Sequence, residues 1–327
     1  MLSIATLQAV YKSYAETQRF GQTPASLYQP INYLLALGGK SMRPTLLLLA
    51  ANLFADGVEN ALPQAYAVEL FHNFSLMHDD IMDKSPLRRG QDTVHIRYDE
   101  NAAILSGDVM LVYAFEYLAQ TRADILPLIL PLFTRTAVGI CEGQRLDMDM
   151  AAASSATVGE YVEMIRLKTA ILLAASLEIG AIVGGANPAQ ARILANFGLN
   201  LGLSFQIQDD YLDTFGQAAQ VGKRIGGDIL ENKKTFLLLK SLELANSSQY
   251  LAIQNLLQTA TSNEAAENAK IQAMTAIFQS LNIPELTQNF AENYYKLAIE
   301  DLKRLDLSPE KAAYLLDFAQ YLLNRQS

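Results

Sequence analysis

Residues 62–83 read LPQAYAVELFHNFSLMHDDIMD, and residues 188–213 read PAQARILANFGLNLGLSFQIQDDYLD. Both are apolar stretches with helical spacing, and both close on the same pattern, Asp-Asp-x-x-Asp: Asp79, Asp80 and Asp83 in the first, Asp209, Asp210 and Asp213 in the second. At about 100° per residue, positions i, i+1 and i+4 fall within an arc of about 100°, so each triad puts three carboxylates on one helix face. Asp is a poor residue for a helix interior, and like charges a turn apart repel. A solvated helix end accounts for one such cluster, but it gives no reason for two with identical spacing, each behind an apolar run. A cage for hard divalent cations does. Mg²⁺ takes oxygen ligands, keeps several waters and binds substrate phosphates through one or two carboxylates, which is what each triad offers.

Working outward, the helical period recurs along the whole chain, and strict alternation is short and rare. Helices are expected near 2–18, 28–37, 44–55, 62–83, 101–120, 124–150, 157–185, 188–215 and 233–246, with several more to the C-terminus. Pro44 is placed to open one helix and Asp56-Gly57 to close it. Half of the 327 residues are hydrophobic, with Leu and Ala prominent, and the fold class is all-α. Length alone admits two domains, but nothing resembles a linker, and two triads that share a cation imply one helical domain spanning 1–327 around a central cavity. With 25 Lys and Arg against 34 Asp and Glu the formal charge is −9 and no basic stripe exists, so nucleic acid is not an expected partner. One cysteine, Cys141, fits a reducing cytoplasm, and the N-terminus lacks a signal-peptide pattern. Pro127, Pro131 and Glu178 interrupt the longest apolar runs, against a membrane span.

Three segments resist the helical pattern, 38–43, 84–93 and 216–234, and each gathers cations in an otherwise acidic chain. Gly38-Gly39-Lys40-Ser41-Met42-Arg43-Pro44 carries two, Arg88-Arg89-Gly90 follows the first triad, and Lys223, Lys233 and Lys234 follow the second. Singly these are ordinary surface cations; their joint placement beside paired carboxylate clusters favours phosphate binding, Arg by its fork and Lys as a point charge. His72 lies only about 20° from Asp79 around an ideal helix, on the carboxylate face, whereas His78 and His95 have no such support and are taken as structural.

In these motifs the chain resembles the trans-isoprenyl diphosphate synthases, or polyprenyl synthetases, of the short-chain type. The resemblance runs through six motifs in the family's order over roughly 60% of the chain: GGKxxRP at 38–44, His72 with the first triad, Arg88-Arg89-Gly90, Lys168-Thr169, Gln206 with the second triad, and Gly226-Gly227-Asp228-Ile229 leading to Lys233. It implies ten or so helices around a deep cavity, a homodimer, and three Mg²⁺ ions clamping an allylic diphosphate. Carried over by position, Asp79, Asp83 and Asp209 are metal ligands, with Asp80, Asp210 and Asp213 as supporting carboxylates. Lys40, Arg43, His72 and Arg89 then bind isopentenyl diphosphate; Arg88, Lys168, Lys223 and Lys233 hold the allylic diphosphate; and Gln144 with Asp147 lies behind them. Lys168, Thr169 and Gln206 lie near the allylic cation.

The implied chemistry is ionisation of an allylic diphosphate, attack by the isopentenyl double bond and loss of a proton to the departing diphosphate. In this family a bulky residue upstream of the first triad stops elongation, and Phe74 occupies that position, with Phe71 a turn further. Helix arithmetic alone puts Ser75 and Phe71 nearer the carboxylate face, so the blocking role of Phe74 comes from the resemblance. The first triad lacks the two extra residues of many bacterial farnesyl synthases, and geranylgeranyl diphosphate is therefore expected ahead of farnesyl diphosphate. A terpene cyclase shares the helical fold but normally carries Asn/Asp-x-x-Ser/Thr-x-x-x-Glu as its second metal motif. A His-Asp phosphohydrolase needs a further His before His72, and none exists. A non-catalytic subunit of a heteromeric synthase would tolerate losses in these motifs, and none is lost.

Overall fold

Apolar periodicity becomes helix almost throughout the computed structural model, which describes residues 1–216 and 225–323. In chain order the helices are α1 (Ile4–Thr17), α2 (Ala25–Ala36), α3 (Met42–Phe54) and α4 (Leu62–Met82). A short hairpin follows, β1 (Leu87–Arg88) with β2 (Gln91–Asp92), then α5 (Val94–Arg97), α6 (Glu100–Ala119), α7 (Leu126–Ala152) and α8 (Val158–Ile165). After a π-helical turn at Arg166–Ala170 come α9 (Ile171–Gly184) and α10 (Pro188–Phe215). The remainder is α11 (Gly227–Leu230), α12 (Phe236–Leu244), α13 (Ser247–Gln258), α14 (Glu264–Ser280), α15 (Ile283–Lys303) and α16 (Pro309–Leu323).

The chain forms two compact units, one of residues 1–136, 172–195 and 307–315, the other of 137–171, 196–306 and 316–327. In the first unit α3 is apolar all round, and every residue from Pro44 to Leu53 is buried. Along α4 burial runs almost unbroken from Leu62 to Phe74 and ends at Asp80, which is how a costly carboxylate is carried inside. Among the described residues of the second unit two apolar clusters stand out. One joins Met150, Tyr161, Met164 and Ile165 to Leu203, Ile207, Phe236 and Leu239. The other joins Ile229, Leu237 and Leu238 to Ile253, Met274 and Phe278.

Local structure departs from the sequence expectations most clearly in three places. First, α3 begins at Met42, two residues before Pro44; Ser41 in the left-handed region (φ 44°) starts it, and Pro44 at the third position still forgoes only an amide with no helical partner. Second, 84–93 holds a hairpin whose two-residue turn is Arg89-Gly90, both with positive φ (54° and 75°), the geometry that suits the strand twist. Third, the single helix expected over 157–185 is broken by the π turn, in which the Ile171 N–H bonds the Arg166 carbonyl. Among the described residues, three helical stretches could cross a membrane by length and composition alone, Glu100–Ala119, Leu126–Ala152 and Val158–Gly184.

Candidate active site

In the first unit the end of α4, the hairpin and the loop before α3 bring one group of predicted residues together. Asp80 is buried and takes two hydrogen bonds from Arg88, Nε to Oδ2 and Nη2 to Oδ1, both 2.7 Å. This fork-to-carboxylate pair uses two of the five guanidinium N–H bonds. Asp79 is half-buried; Asp83 is exposed as the C-cap of α4, its backbone N–H bonding the Asp79 carbonyl at 2.8 Å. Because Arg88 ends β1 and Arg89 opens the turn, the two guanidiniums diverge. That of Arg89 lies over Gly39, where a Cβ would come within 2.9 Å of Nη2, so the hairpin tip meets the Gly38–Arg43 loop. Lys40 is exposed in that loop.

Arg43 Nη1 donates to His72 Nε2 at 3.0 Å, which fixes the imidazole as an acceptor with its proton on Nδ1. Burial and then the charges of Arg43, Arg89 and Arg88 hold the His72 pKa well below its ordinary value. Glu69, one turn earlier, was not picked out by sequence reasoning. It is buried with Oε2 unpartnered; burial raises its pKa, and Arg43 and Arg89 lower it in opposition. A lone acid in an otherwise apolar run, three residues before His72, was a usable signal.

Beneath this group the rings of Phe74 and Phe71 approach at 5.5 Å, Phe71 and Phe133 at 5.4 Å, and Phe133 and Phe115 at 5.3 Å. Phe74 also stacks edgewise on His78 at 4.8 Å, and His78 Nε2 lies 3.1 Å from the Ile104 carbonyl oxygen. Ser75 turns its hydroxyl back to the His72 carbonyl at 2.9 Å.

In the second unit the residues gather around the π turn and the end of α10. A Cβ on Gly143 would lie 2.4 Å from the Lys168 backbone nitrogen, and one on Gly202 would lie 2.7 Å from the Ala170 Cα. Two glycines, from α7 and α10, thus admit the wider turn. Lys168 Nζ pairs with Asp147 Oδ2 at 2.6 Å, and Thr169 Oγ1 donates to Gln206 Oε1 at 3.0 Å. Gln206 Nε2 and the Tyr161 hydroxyl donate to the two oxygens of buried Asp210 at 2.9 and 2.7 Å. Asp209 is half-buried, whereas Asp213 is fully buried and its Oδ2 accepts from the Asp228 N–H at 2.9 Å. Lys233 Nζ is 3.6 Å from Asp228 Oδ1. Burial opposes its charge, but the carboxylates of Asp210, Asp228, Asp147 and Asp209 outweigh that and raise its pKa. Lys234, which sequence reasoning grouped with the phosphate cations, instead caps α7, donating to the Met150 carbonyl at 2.6 Å and the Ala151 carbonyl at 3.2 Å. Lys223 lies outside the described residues. Tyr161 was missed, because an aromatic at helical spacing in an apolar segment is indistinguishable from core.

Among the described residues no three His, Cys, Asp or Glu side chains stand close enough to hold a metal by protein ligands alone. The donor set nevertheless suits Mg²⁺ bound to a diphosphate, which needs one or two hard oxygens from the protein and takes the rest from water and phosphate. Asp80 and Asp210 are committed to neighbouring donors, in keeping with a supporting position in each triad.

The family profile described as polyprenyl synthetase matches residues 24–277. The chain belongs to the polyprenyl synthetase family. It is a prenyltransferase with that family's all-helical fold. The chain is similar to the geranylgeranyl diphosphate synthase of Sulfolobus acidocaldarius, 35% identical over 96% of this chain and 95% of that protein. It is equally similar to the geranylfarnesyl diphosphate synthase of Natronomonas pharaonis, 35% identical over 99% and 97%. A crystal structure of a geranylgeranyl pyrophosphate synthase superposes with a TM-score of 0.95 at 37% identity, covering 100% of both chains. Identity to these two relatives therefore does not separate one product length from the other.

Proposed function

We propose that this prenyltransferase condenses isopentenyl diphosphate head-to-tail with allylic diphosphates in a Mg²⁺-dependent reaction, releasing diphosphate and a short all-trans prenyl diphosphate, geranylgeranyl ahead of farnesyl. The observation that carries the reading is the repeated helix end: twice, an Asp-Asp-x-x-Asp triad has its middle carboxylate committed to neighbouring donors and lies among basic side chains. The whole chain acts as one catalytic domain. Asp79, Asp83 and Asp209 are the proposed metal ligands, with Asp80, Asp210 and Asp213 in support. When bound, three Mg²⁺ ions supply charge neutralisation for the leaving diphosphate.

The protein's own share is orientation and electrostatics. Lys40, Arg43, His72 and Arg89 bind the isopentenyl diphosphate, for which a neutral His72 that accepts from Arg43 leaves the arginine's other N–H bonds for phosphate oxygens. Arg88, Lys168, Lys233 and Lys223 hold the allylic diphosphate. Thr169 and Gln206 stand beside the allylic carbon as positive charge develops, and the released diphosphate takes the proton lost from the isopentenyl unit. Phe74, backed by Phe71, stops the growing chain. A homodimer fits the exposed apolar face of α6, on which Leu105 and Val112, two turns apart, are 57% and 67% exposed. A cytoplasmic location without a membrane span completes the reading.

Purified protein incubated with Mg²⁺, isopentenyl diphosphate and each allylic starter in turn should yield prenyl diphosphates of three to four units. Absence of condensation with every starter rejects the proposal. Phe74→Ala should lengthen the products, and an unchanged distribution removes Phe74 as the floor. Sedimentation tests the dimer.

A further inference from the structure

The hydrogen bonds around Asp210 have a fixed direction. The Tyr161 hydroxyl donates to Oδ2 at 2.7 Å, and Gln206 Nε2 donates to Oδ1 at 2.9 Å. Thr169 Oγ1 then donates to Gln206 Oε1 at 3.0 Å. A hydroxyl and a primary amide can each donate or accept, so the Thr169–Gln206 pair alone could run either way. A carboxylate only accepts. Asp210 therefore turns the Gln206 NH₂ toward itself, the amide carbonyl faces Thr169, and Thr169 spends its one proton there. What remains at the Thr169 oxygen is acceptor capacity.

We propose that Tyr161 is a positioning residue for prenyl transfer, which by anchoring Asp210 sets the direction of this chain and keeps the Thr169 oxygen an acceptor toward the positive charge on the allylic carbon. The inference rests on the proposed function, in which Thr169 stands beside that carbon. A threonine free to turn its O–H dipole would present hydrogen to the cation in part of the population. Rigid surroundings make the direction persistent. Tyr161 is 1% exposed in the core, Gln206 and Asp210 are one turn apart on α10, and Thr169 is in the π turn admitted by Gly143 and Gly202. Phenylalanine fills nearly the same volume as tyrosine, so the hydroxyl's contribution beyond packing is the bond to Asp210.

The test compares two allylic diphosphate analogues bound to the Mg²⁺-loaded enzyme, one with an ammonium nitrogen at the position of the developing cation and one with neutral carbon there. Tyr161→Phe should lower kcat about tenfold, the size of one hydrogen bond, with the KM for both diphosphates changed less than about twofold. It should also reduce the affinity ratio, ammonium over neutral, about tenfold. Thr169→Val should reduce that ratio similarly, and Thr169→Ser should retain it. A structural role alone would lower thermal stability and leave the ratio untouched. An unchanged ratio in Tyr161→Phe with a reduced one in Thr169→Val overturns the inference. An unchanged ratio in both shows instead that Thr169 is not beside the cation. Should Tyr161→Phe fail to fold, Gln206→Met breaks the same chain one link on, and a ratio kept there overturns the inference equally.

Discussion

At the end of α4 the middle carboxylate of the triad is neutralised by a cation, whereas at the end of α10 the corresponding carboxylate is held directly by neutral donors. Asp80 is gripped by the Arg88 guanidinium; Asp210 accepts from a tyrosine and an amide. The third carboxylates differ too, since Asp83 caps its helix in the open and Asp213 is buried inside α10. The surrounding charges reverse as well. Around His72, burial and then three arginines disfavour protonation, while around Lys233 four carboxylates outweigh burial and favour it. Identical spacing thus places three acids on one face but leaves their environment to the tertiary fold. One triad lies beside arginines, and the other beside a lysine that its own carboxylates hold charged.

The sharpest way to break this comparison is to remove each anchor. Arg88→Met leaves Asp80 buried without its cation, and a loss of about 3–5 kcal/mol is expected in urea unfolding. Tyr161→Phe removes one neutral hydrogen bond from Asp210 and should cost about 1–3 kcal/mol. Adding Asp80→Asn to Arg88→Met should recover part of the first loss, because the stranded charge is then gone. Equal losses in the two single variants would show that the middle carboxylates are held alike.

Next comes the π turn that serves only the second triad. Gly143→Ala drives a Cβ into the Lys168 backbone, whereas Gly139→Ala meets the flexible end of Ile171, at 2.7 Å from Cδ1. Overpacking against backbone should cost Gly143→Ala about 1–3 kcal/mol and raise the KM for the allylic diphosphate by moving Lys168. Gly139→Ala should be milder in both. If the two variants behave alike, the fit of Gly143 to the turn does not position Lys168.

Helix and carboxylate spacing were legible because they are local: a 3.6-residue period and an i, i+1, i+4 pattern need no knowledge of distant chain. Pro188–Phe215 was readable almost to the residue for that reason. The hairpin at 87–92 was not, since two-residue strands carry no alternation and Arg89 is an unusual residue for positive φ. Nor was the π turn, which has room only because Gly143 and Gly202, residues 25 or more positions away from Lys168 or Ala170 along the chain, lack a side chain. Lys233 and Lys234 are adjacent and alike in sequence, yet only the fold decides that one faces carboxylates and the other a helix end.

The contrast between the two basic groups is tested by pH. His72 has a depressed pKa when folded and an ordinary one of about 6.5 when unfolded. Its contribution is therefore present above about pH 6.5 and lost as pH falls below it, where the unfolded chain binds a proton that the folded protein refuses. The loss is at most about 1.4 kcal/mol per pH unit. Urea unfolding between pH 7.5 and 5.5 should show a shallower decline for His72→Asn than for the parent. Parallel declines would mean that the folded protein protonates His72 despite its arginines.

The smallest effect separates the neighbours at 233 and 234. Lys234 donates to two carbonyls at the end of α7, where the helix has acceptors without partners and a negative dipole end. Lys234→Met should lower stability by about 0.5–1 kcal/mol and leave the KM for both diphosphates unchanged, because the ammonium is turned to the backbone. Lys233→Met should do the reverse in kind, raising the KM for the allylic diphosphate, since four carboxylates hold that ammonium charged in the second triad's neighbourhood. A rise in KM from Lys234→Met equal to that from Lys233→Met would place both lysines at the substrate and undo the division that the helix cap implies.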